Sequence, residues 1–345
     1  MSGGRLPFPH PRVRPDWLGR LREDVLDPGQ TIIDPHHHLW RARPDRYLLD
    51  DLAEDVRGGH DVRATVFIQC GSAYREDGPE ELRPVGETEF VAAIAKASET
   101  RDFRACAGIV GHADCRLGDR IEPVLLAHVA AGGGRFKGIR HGATYDPGIA
   151  PTVPPGAPPG LLLDPAFRAG VARTGRLGLT FEAWCYHPQL PELADLLLAC
   201  PEQKIVLNHL GGPLGVGPYE GRRSEVFAAW AGSMKALAKC QNLFVKLGGL
   251  AMNVNGFGYH HQVLPPGSGE MASAWRPYME TAIEAFGTAR CMFESNFPVD
   301  KGMCAYPVLW NAFKRIAAGC SADEKADLFH RTAARFYGLE GVVAD

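Results

Sequence analysis

The sequence predicts an α/β protein, a (β/α)8 TIM barrel with parallel strands inside and helices outside. Three observations predict it. Short, near-continuous apolar runs recur along the chain, and amphipathic stretches of helical period separate them. Strands apolar on both faces need cover on both faces, which a parallel sheet wrapped by helices supplies. A doubly wound open sheet uses the same units, but no G-x-G-x-x-G follows the first strand.

An Arg- and Pro-rich lead, residues 1–30, is expected to pack on the barrel as an extension, and a single domain is expected over 31–345. The eight predicted strands are TIIDPHH (31–37), ATVFIQCG (64–71), FRACAGIVG (103–111), FKGIRH (136–141), LTFEAWC (179–185), KIVLNHLGG (204–212), LFVKLGGL (243–250) and RCMFESNFP (290–298). Helices are predicted at 89–100, 121–131, 188–200 and 224–240, and S-A-D-E at 321–324 opens the last one with a capping box. Long Gly/Pro-rich stretches follow the fourth strand (141–160) and the seventh (251–270). Loops of that length inside a compact domain are usually functional, and in a barrel the loops after the strands build the active-site face.

With 345 residues, 45% hydrophobic and 22% charged, the chain has ample material for one barrel core. A net charge of −3 gives no electrostatic case for nucleic acid or an anionic membrane. The expected partner is a small-molecule substrate; a homo-oligomer is left open. Nine cysteines, none in a C-x-x-C pair, argue against a disulfide framework or thiolate zinc site and for a reducing compartment. No apolar run approaches the roughly 18 residues of a membrane span, and MSGGRLPFPH lacks the apolar core of a signal peptide, so a cytoplasmic location is expected.

The stretch IIDPHHHLW carries the sharpest chemistry. Strand alternation puts Asp34, His36 and His38 on one face and His37 on the other. Two imidazoles two residues apart can close on one ion or one substrate oxygen; the bland alternative is buried, satisfied histidines. Further polar residues end the other strands: Gln69, Arg140 and His141, Glu182 and Trp184, His209, Lys246, Glu294 and Asn296. Each has a structural alternative, since Lys246 can snorkel, Glu182 can pair with an arginine and Trp184 can simply pack. Together, at the C-terminal ends of so many barrel strands, they read as a site.

Several segments, I-I-D-P-H-H-H-L-W (32–40), F-K-G-I-R-H (136–141), V-L-N-H-L-G-G-P (206–213), F-V-K-L-G-G-L (244–250), M-F-E-S-N-F-P (292–298) and F-H-R-T-A-A-R-F-Y-G-L (329–339), resemble the amidohydrolase superfamily. The similarity is to its branch of small lactone hydrolases and related amidohydrolase 2 proteins. The resemblance implies a (β/α)8 barrel that activates water for attack on a carbonyl. Its first-strand histidine pair falls on His36 and His38, and its sixth-strand histidine on His209. The eighth strand departs from the family pattern G-S-D-W-P: Glu294-Ser295-Asn296-Phe297-Pro298 puts Asn296 where the family has its aspartate. An amide cannot take a proton from water near neutral pH. The base candidates are therefore His209, Glu294, Asp300 and Glu182.

The expected activity is a hydrolase opening a lactone or related small ester, with an acidic substrate suggested by the basic strand-end residues. His36, His38 and His209 are the expected ligands of a divalent metal, zinc first, with a metal-free site as the alternative because some members of the branch work without metal. In the metal-free case the same imidazoles donate hydrogen bonds to the carbonyl. Gln69, Arg140, His141, Glu182, Trp184 and Lys246 are expected to bind substrate, the basic ones meeting an anionic oxygen. Two rivals are a metal-dependent non-oxidative decarboxylase or hydratase and a non-catalytic binding protein on the same scaffold.

Overall fold

The computed structural model describes residues 10–41, 46–149 and 157–342. Eight parallel strands pair in chain order, β1 (Thr31–His37), β2 (Asp61–Ile68), β3 (Arg104–Gly111), β4 (Phe136–Arg140), β5 (Thr180–Ala183), β6 (Ile205–Leu207), β7 (Leu243–Leu247) and β8 (Cys291–Phe293). The ring closes just past β8, where the His38 amide donates to the Phe297 carbonyl at 2.7 Å and the Asn296 amide to the His36 carbonyl at 2.9 Å. The histidine run is thereby sewn to the segment that replaces the family's G-S-D-W-P.

Each predicted apolar run overlaps a strand, but β2, β5, β6, β7 and β8 stop two to five residues early, and β2 starts at Asp61. At β6 the cause is backbone geometry. Asn208–Gly211 forms a turn in which His209 and Leu210 both take left-handed φ values, 54° and 56°. Two consecutive non-glycine residues there are strained, and such strain collects at functional sites. The turn is held by Trp230, whose indole N–H donates to the Leu210 carbonyl at 2.6 Å.

The helices cover the outside much as their periods require; the run read at 224–240 becomes helix Arg223–Leu237. Ser321 and Glu324 form the predicted reciprocal cap, with the Ser321 amide 2.7 Å from the Glu324 carboxylate. The lumen is packed rather than hollow: Ile33, Val66, Ile68, Val110, Val206 and Met292 fill it, and Phe336 and Tyr337 of helix Thr332–Tyr337 plug it. Residues 14–27 run along the outside of this frame. Arg14, Trp17 and Arg20 donate to the carbonyls of His260, Gln262 and Val263 in the loop after β7, while Leu26 and Asp27 bond to Asn311 and Lys314. Among the described residues no helix is long and apolar enough to cross a membrane.

Candidate active site

The first strand does not alternate cleanly. Its pairing with β2 is irregular between Asp34 and His37, and the slip separates the residues that the sequence places on one face. His36 turns into the lumen. His37 turns out, bonding Thr65 Oγ1 at 2.9 Å. Of His36, the Asp34 side chain meets only the amide, at 3.3 Å, and not the ring: it accepts from the Ser295 amide and the Tyr306 hydroxyl, both at 3.0 Å, and so latches β1 to a distant part of the chain. Burial pushes its carboxyl up to about 6, against the lowering effect of these bonds.

Glu294 organises the centre. Its Oε1 accepts from His209 Nδ1 at 2.7 Å and from the His209 amide at 3.2 Å. Its Oε2 lies 2.8 Å from His36 Nδ1, but misaligned, so this buried oxygen has no hydrogen-bond partner. Glu294 sits here because Gly248 and Gly249 make room: a Cβ at Gly248 meets the Glu294 side chain at 2.4 Å, and one at Gly249 meets His209 Nδ1 at 2.4 Å. Gly249 also has a left-handed φ of +68°. Gly249→Ala is therefore expected to push His209 off its carboxylate and lower kcat/KM at least about 100-fold. Comparing kcat/KM and a thermal melt checks this, and an unaffected Gly249→Ala enzyme refutes the close-approach account.

The imidazoles share one tautomer. His38 Nδ1 lies 2.7 Å from the Ile68 carbonyl, which can only accept, so Nδ1 carries the proton and Nε2 is bare. His209 likewise gives its Nδ1 proton to Glu294. His36 Nε2 accepts from Arg140 Nη1 at 3.3 Å, which leaves its proton on Nδ1, facing Glu294. Burial is the main cause that lowers all three pKa values, with Lys246 adding to the effect on His36 and Arg140 to that on His38. The rings stay neutral at neutral pH. Centroids lie 5.0 Å apart for His36–His38 and 4.4 Å for His36–His209.

Beneath them lies a buried polar layer. Lys246 Nζ contacts Glu182 Oε2 at 2.7 Å, the Pro35 carbonyl at 2.9 Å and His36 Nδ1 at 3.3 Å. Asn208 donates to Glu182 at 2.5 Å, and the Tyr337 hydroxyl takes its other oxygen. Lys246 and Glu182 are both fully buried. This corrects two expected substrate contacts, because neither group has a free atom facing a substrate. Arg140 is close to the same condition. Its Nε donates to Gln69 Oε1 at 3.0 Å, its Nη2 to the Gln69 carbonyl, and its Nη1 to His36 and to Asn208 Oδ1 at 3.4 Å.

Asn296, at the family's aspartate position, has a left-handed φ of 55° and donates from Nδ2 to Asp300 Oδ1 at 2.8 Å. Asp300 is fully buried, and among the described residues its carboxylate accepts one other bond, from the Ala251 amide at 3.3 Å. Burial holds its carboxyl well above the usual range, and the nearby Glu294 adds to that. Asp300 therefore reaches the site only through the amide. Trp184 is half-buried and meets the His209 ring edge to face, with centroids 4.8 Å apart. His141 points away from the lumen, against Phe167 and the Cys115 amide.

Among the described residues, one group has donor atoms spaced for a single cation: His36, His209 and Glu294, all within 4.8 Å of one another. Glu294 thus takes the place expected for His38. The open Oε2 of Glu294 beside two neutral imidazoles is a donor set that suits a divalent ion. Reading the sequence missed Asn208, Tyr337 and the two glycines as parts of the site, and gave Asp34 the wrong partners. Asn208, Tyr337 and the glycines lie inside recognised segments, but their partners come from other strands.

A family model described as Amidohydrolase, Amidohydro_2, matches residues 33–339. An uncharacterized protein of Sinorhizobium fredii, y4mH, is 33% identical over 89% of this chain and 98% of its own length. An L-fucono-1,5-lactonase of Burkholderia multivorans is 26% identical over 90% of this chain and 97% of its own. A crystal structure of an amidohydrolase from Burkholderia multivorans, solved with bound zinc, superposes with a TM-score of 0.69 at 24% identity, covering 90% of this chain and 99% of that one.

Proposed function

Because the chain belongs to the Amidohydro_2 family of amidohydrolases, we propose that it is a hydrolase that opens a small lactone by adding water to the carbonyl. The observation that carries the reading is the fixed imidazole array. Every Nδ1 faces an oxygen, His36 and His209 sharing Glu294, which leaves Nε2 of His38 and His209 as the working nitrogens while that of His36 meets Arg140. The lactonase name of the Burkholderia relative supports the C–O bond.

His38 Nε2, bare and unprotonated, accepts a proton from the attacking water. The carbonyl oxygen becomes the oxyanion of a tetrahedral intermediate, favoured by the fixed positive charges of Arg140 and Lys246. Collapse breaks the ring C–O bond, and the same proton passes from His38 to the departing ring oxygen, giving a hydroxy acid. Glu294 keeps His36 and His209 in register, and Asn296 is held by its bond to Asp300. A divalent cation would be held by His36, His209 and Glu294, and when bound supplies Lewis-acid polarisation of the carbonyl. The zinc in the Burkholderia amidohydrolase structure makes zinc the first candidate.

The test is a lactone panel followed with a pH indicator, with elemental analysis of the same protein. The expected result is acid release that falls at least about 100-fold after chelation and returns with zinc. Full activity after chelation leaves His38 as the base and the charges of Arg140 and Lys246 to act without the ion. Carbon dioxide release from a carboxylic acid, with no lactone opened, replaces the reading with a decarboxylase. Turnover of neither class leaves a binding protein on this scaffold.

A further inference from the structure

Helix Val85–Ala97 buries a carboxylate beneath the loop that leaves β2. Glu87 stands in its first turn and is fully buried. Its Oε1 accepts from the Ser72 amide at 2.7 Å and the Cys70 amide at 3.1 Å, with Cys70 Sγ at 3.6 Å. Its Oε2 is buried too and has no hydrogen-bond partner among the described residues. The helix comes this close because residue 86 is glycine: a Cβ at Gly86 meets the Ala73 carbonyl at 2.7 Å and the Arg75 amide at 2.8 Å. Burying a charge is costly unless its surroundings compensate it. Burial pushes the Glu87 carboxyl up to about 7, against the lowering effect of the Ser72 and Cys70 amides.

What this carboxylate holds leads to the catalytic centre. Gln69 directly precedes Cys70, and its own amide donates to the Val110 carbonyl at 2.8 Å, so the chain is pinned on both sides as it leaves the barrel. Gln69 in turn accepts twice from Arg140: its Oε1 from Nε at 3.0 Å and its carbonyl from Nη2. The remaining acceptors of Arg140 are more distant, His36 Nε2 at 3.3 Å and Asn208 Oδ1 at 3.4 Å. None of these four acceptors is a carboxylate. The position of the guanidinium therefore depends mainly on one uncharged residue, and the position of that residue depends on the loop that Glu87 fastens.

We infer that Glu87 is a positioning residue for the reaction: through the amides of Cys70 and Ser72 it fixes Gln69, and Gln69 fixes the guanidinium of Arg140 beside His36. Glu87 itself touches neither the reacting atoms nor the three imidazoles. Removing its carboxylate takes away the acceptor of two loop amides and lets Arg140 shift from the place where negative charge develops. A displacement of about 1 Å there costs on the order of 100-fold in rate. Charge on the oxyanion exists only in the transition state, so the loss falls on kcat rather than KM. The rate effect rests on the lactone-hydrolase reading, whereas the anchoring of Arg140 is measured without substrate.

The test follows the Arg140 Nε–H by NMR in nitrogen-15-labelled protein at pH 8, where Glu87 is ionised, with the signal assigned by its loss in Arg140→Lys. Glu87→Ala is expected to speed solvent exchange of that proton about 10-fold or more. On a lactone it should lower kcat about 10-fold to 100-fold while KM stays within about threefold. Glu87→Gln keeps an oxygen for the two amides and should recover most of both losses. If Glu87→Ala does not fold, Glu87→Asp, whose carboxylate is drawn back by one methylene, carries the same expectation. Faster exchange in the variant with no lactone opened by wild type leaves the anchoring standing and removes the hydrolase reading. Wild-type exchange in the folded alanine or aspartate variant overturns the inference, even where kcat or the melting temperature falls, since that marks a merely structural role. A glutamine variant as impaired as alanine overturns it as well.

Discussion

Glu294→Gln is expected to lower kcat/KM on a lactone about 1,000-fold or more, equivalent to roughly 4 kcal/mol of transition-state stabilisation. The carboxylate holds His209 through two bonds at 2.7 and 3.2 Å and faces His36 at 2.8 Å. Glutamine keeps the shape but offers one acceptor where three N–H groups converge, and it removes the negative charge that balances one of two buried cations, Arg140 and Lys246. Leaving a buried charge uncompensated costs about 3–5 kcal/mol of stability, so the melting temperature should fall as well. Glu294→Asp retains the charge with a shorter reach and should lie between wild type and glutamine in both measurements. Turnover within tenfold of wild type for Glu294→Gln would sink the organising role assigned to this residue.

The second large effect is expected at Asn296. Restoring the family's aspartate there should harm the protein rather than improve it. The amide now donates to Asp300 at 2.8 Å, and Asp300 is already pushed well above the usual carboxylate range by burial and by Glu294. Asn296→Asp replaces a donor with a second carboxyl at the same distance, so the two must share a proton or repel. Turnover is expected to fall about 10-fold to 100-fold, with stability down by roughly 2 kcal/mol. The sign in pH follows from the raised pKa. A carboxyl that prefers its protonated form when folded stabilises the fold at low pH and loses that advantage as pH rises through its folded value. The melting deficit of Asn296→Asp should therefore grow from acid toward neutral pH. Asn296→Asp with Asp300→Asn exchanges the two groups and should recover much of the loss. A single Asn296→Asp variant at wild-type turnover or better would return proton transfer to the eighth strand.

The barrel was legible because its strands are apolar on both faces, a pattern that survives twist and bulges. Strand ends were less so. Alternation put Asp34 beside His36, and one irregular step in β1 was enough to turn Asp34 toward Tyr306. The convergence of His36, His209, Glu294, Arg140 and Lys246 could be read from their positions at strand ends. The partners that decide their roles could not: Lys246 looks like a substrate cation until Glu182, Tyr337 and Asn208 are seen to enclose it. Spacing along a strand says which way a side chain points, whereas availability depends on neighbours far away in sequence.

The latch at Asp34 has a consequence for how the protein comes into being. Its carboxylate is fixed by Ser295 and Tyr306, which follow it by 261 and 272 residues. A nascent chain, growing at about 5–20 residues per second, can pair His37 with Thr65 and His38 with Ile68 early, but Asp34 must wait 261 residues for the first of these two partners. The catalytic centre is thus among the last features to mature during synthesis. Fragments ending before Ser295 should be inert however well their helices form, and a stalled or clipped product offers the cell a silent protein rather than a weakened one.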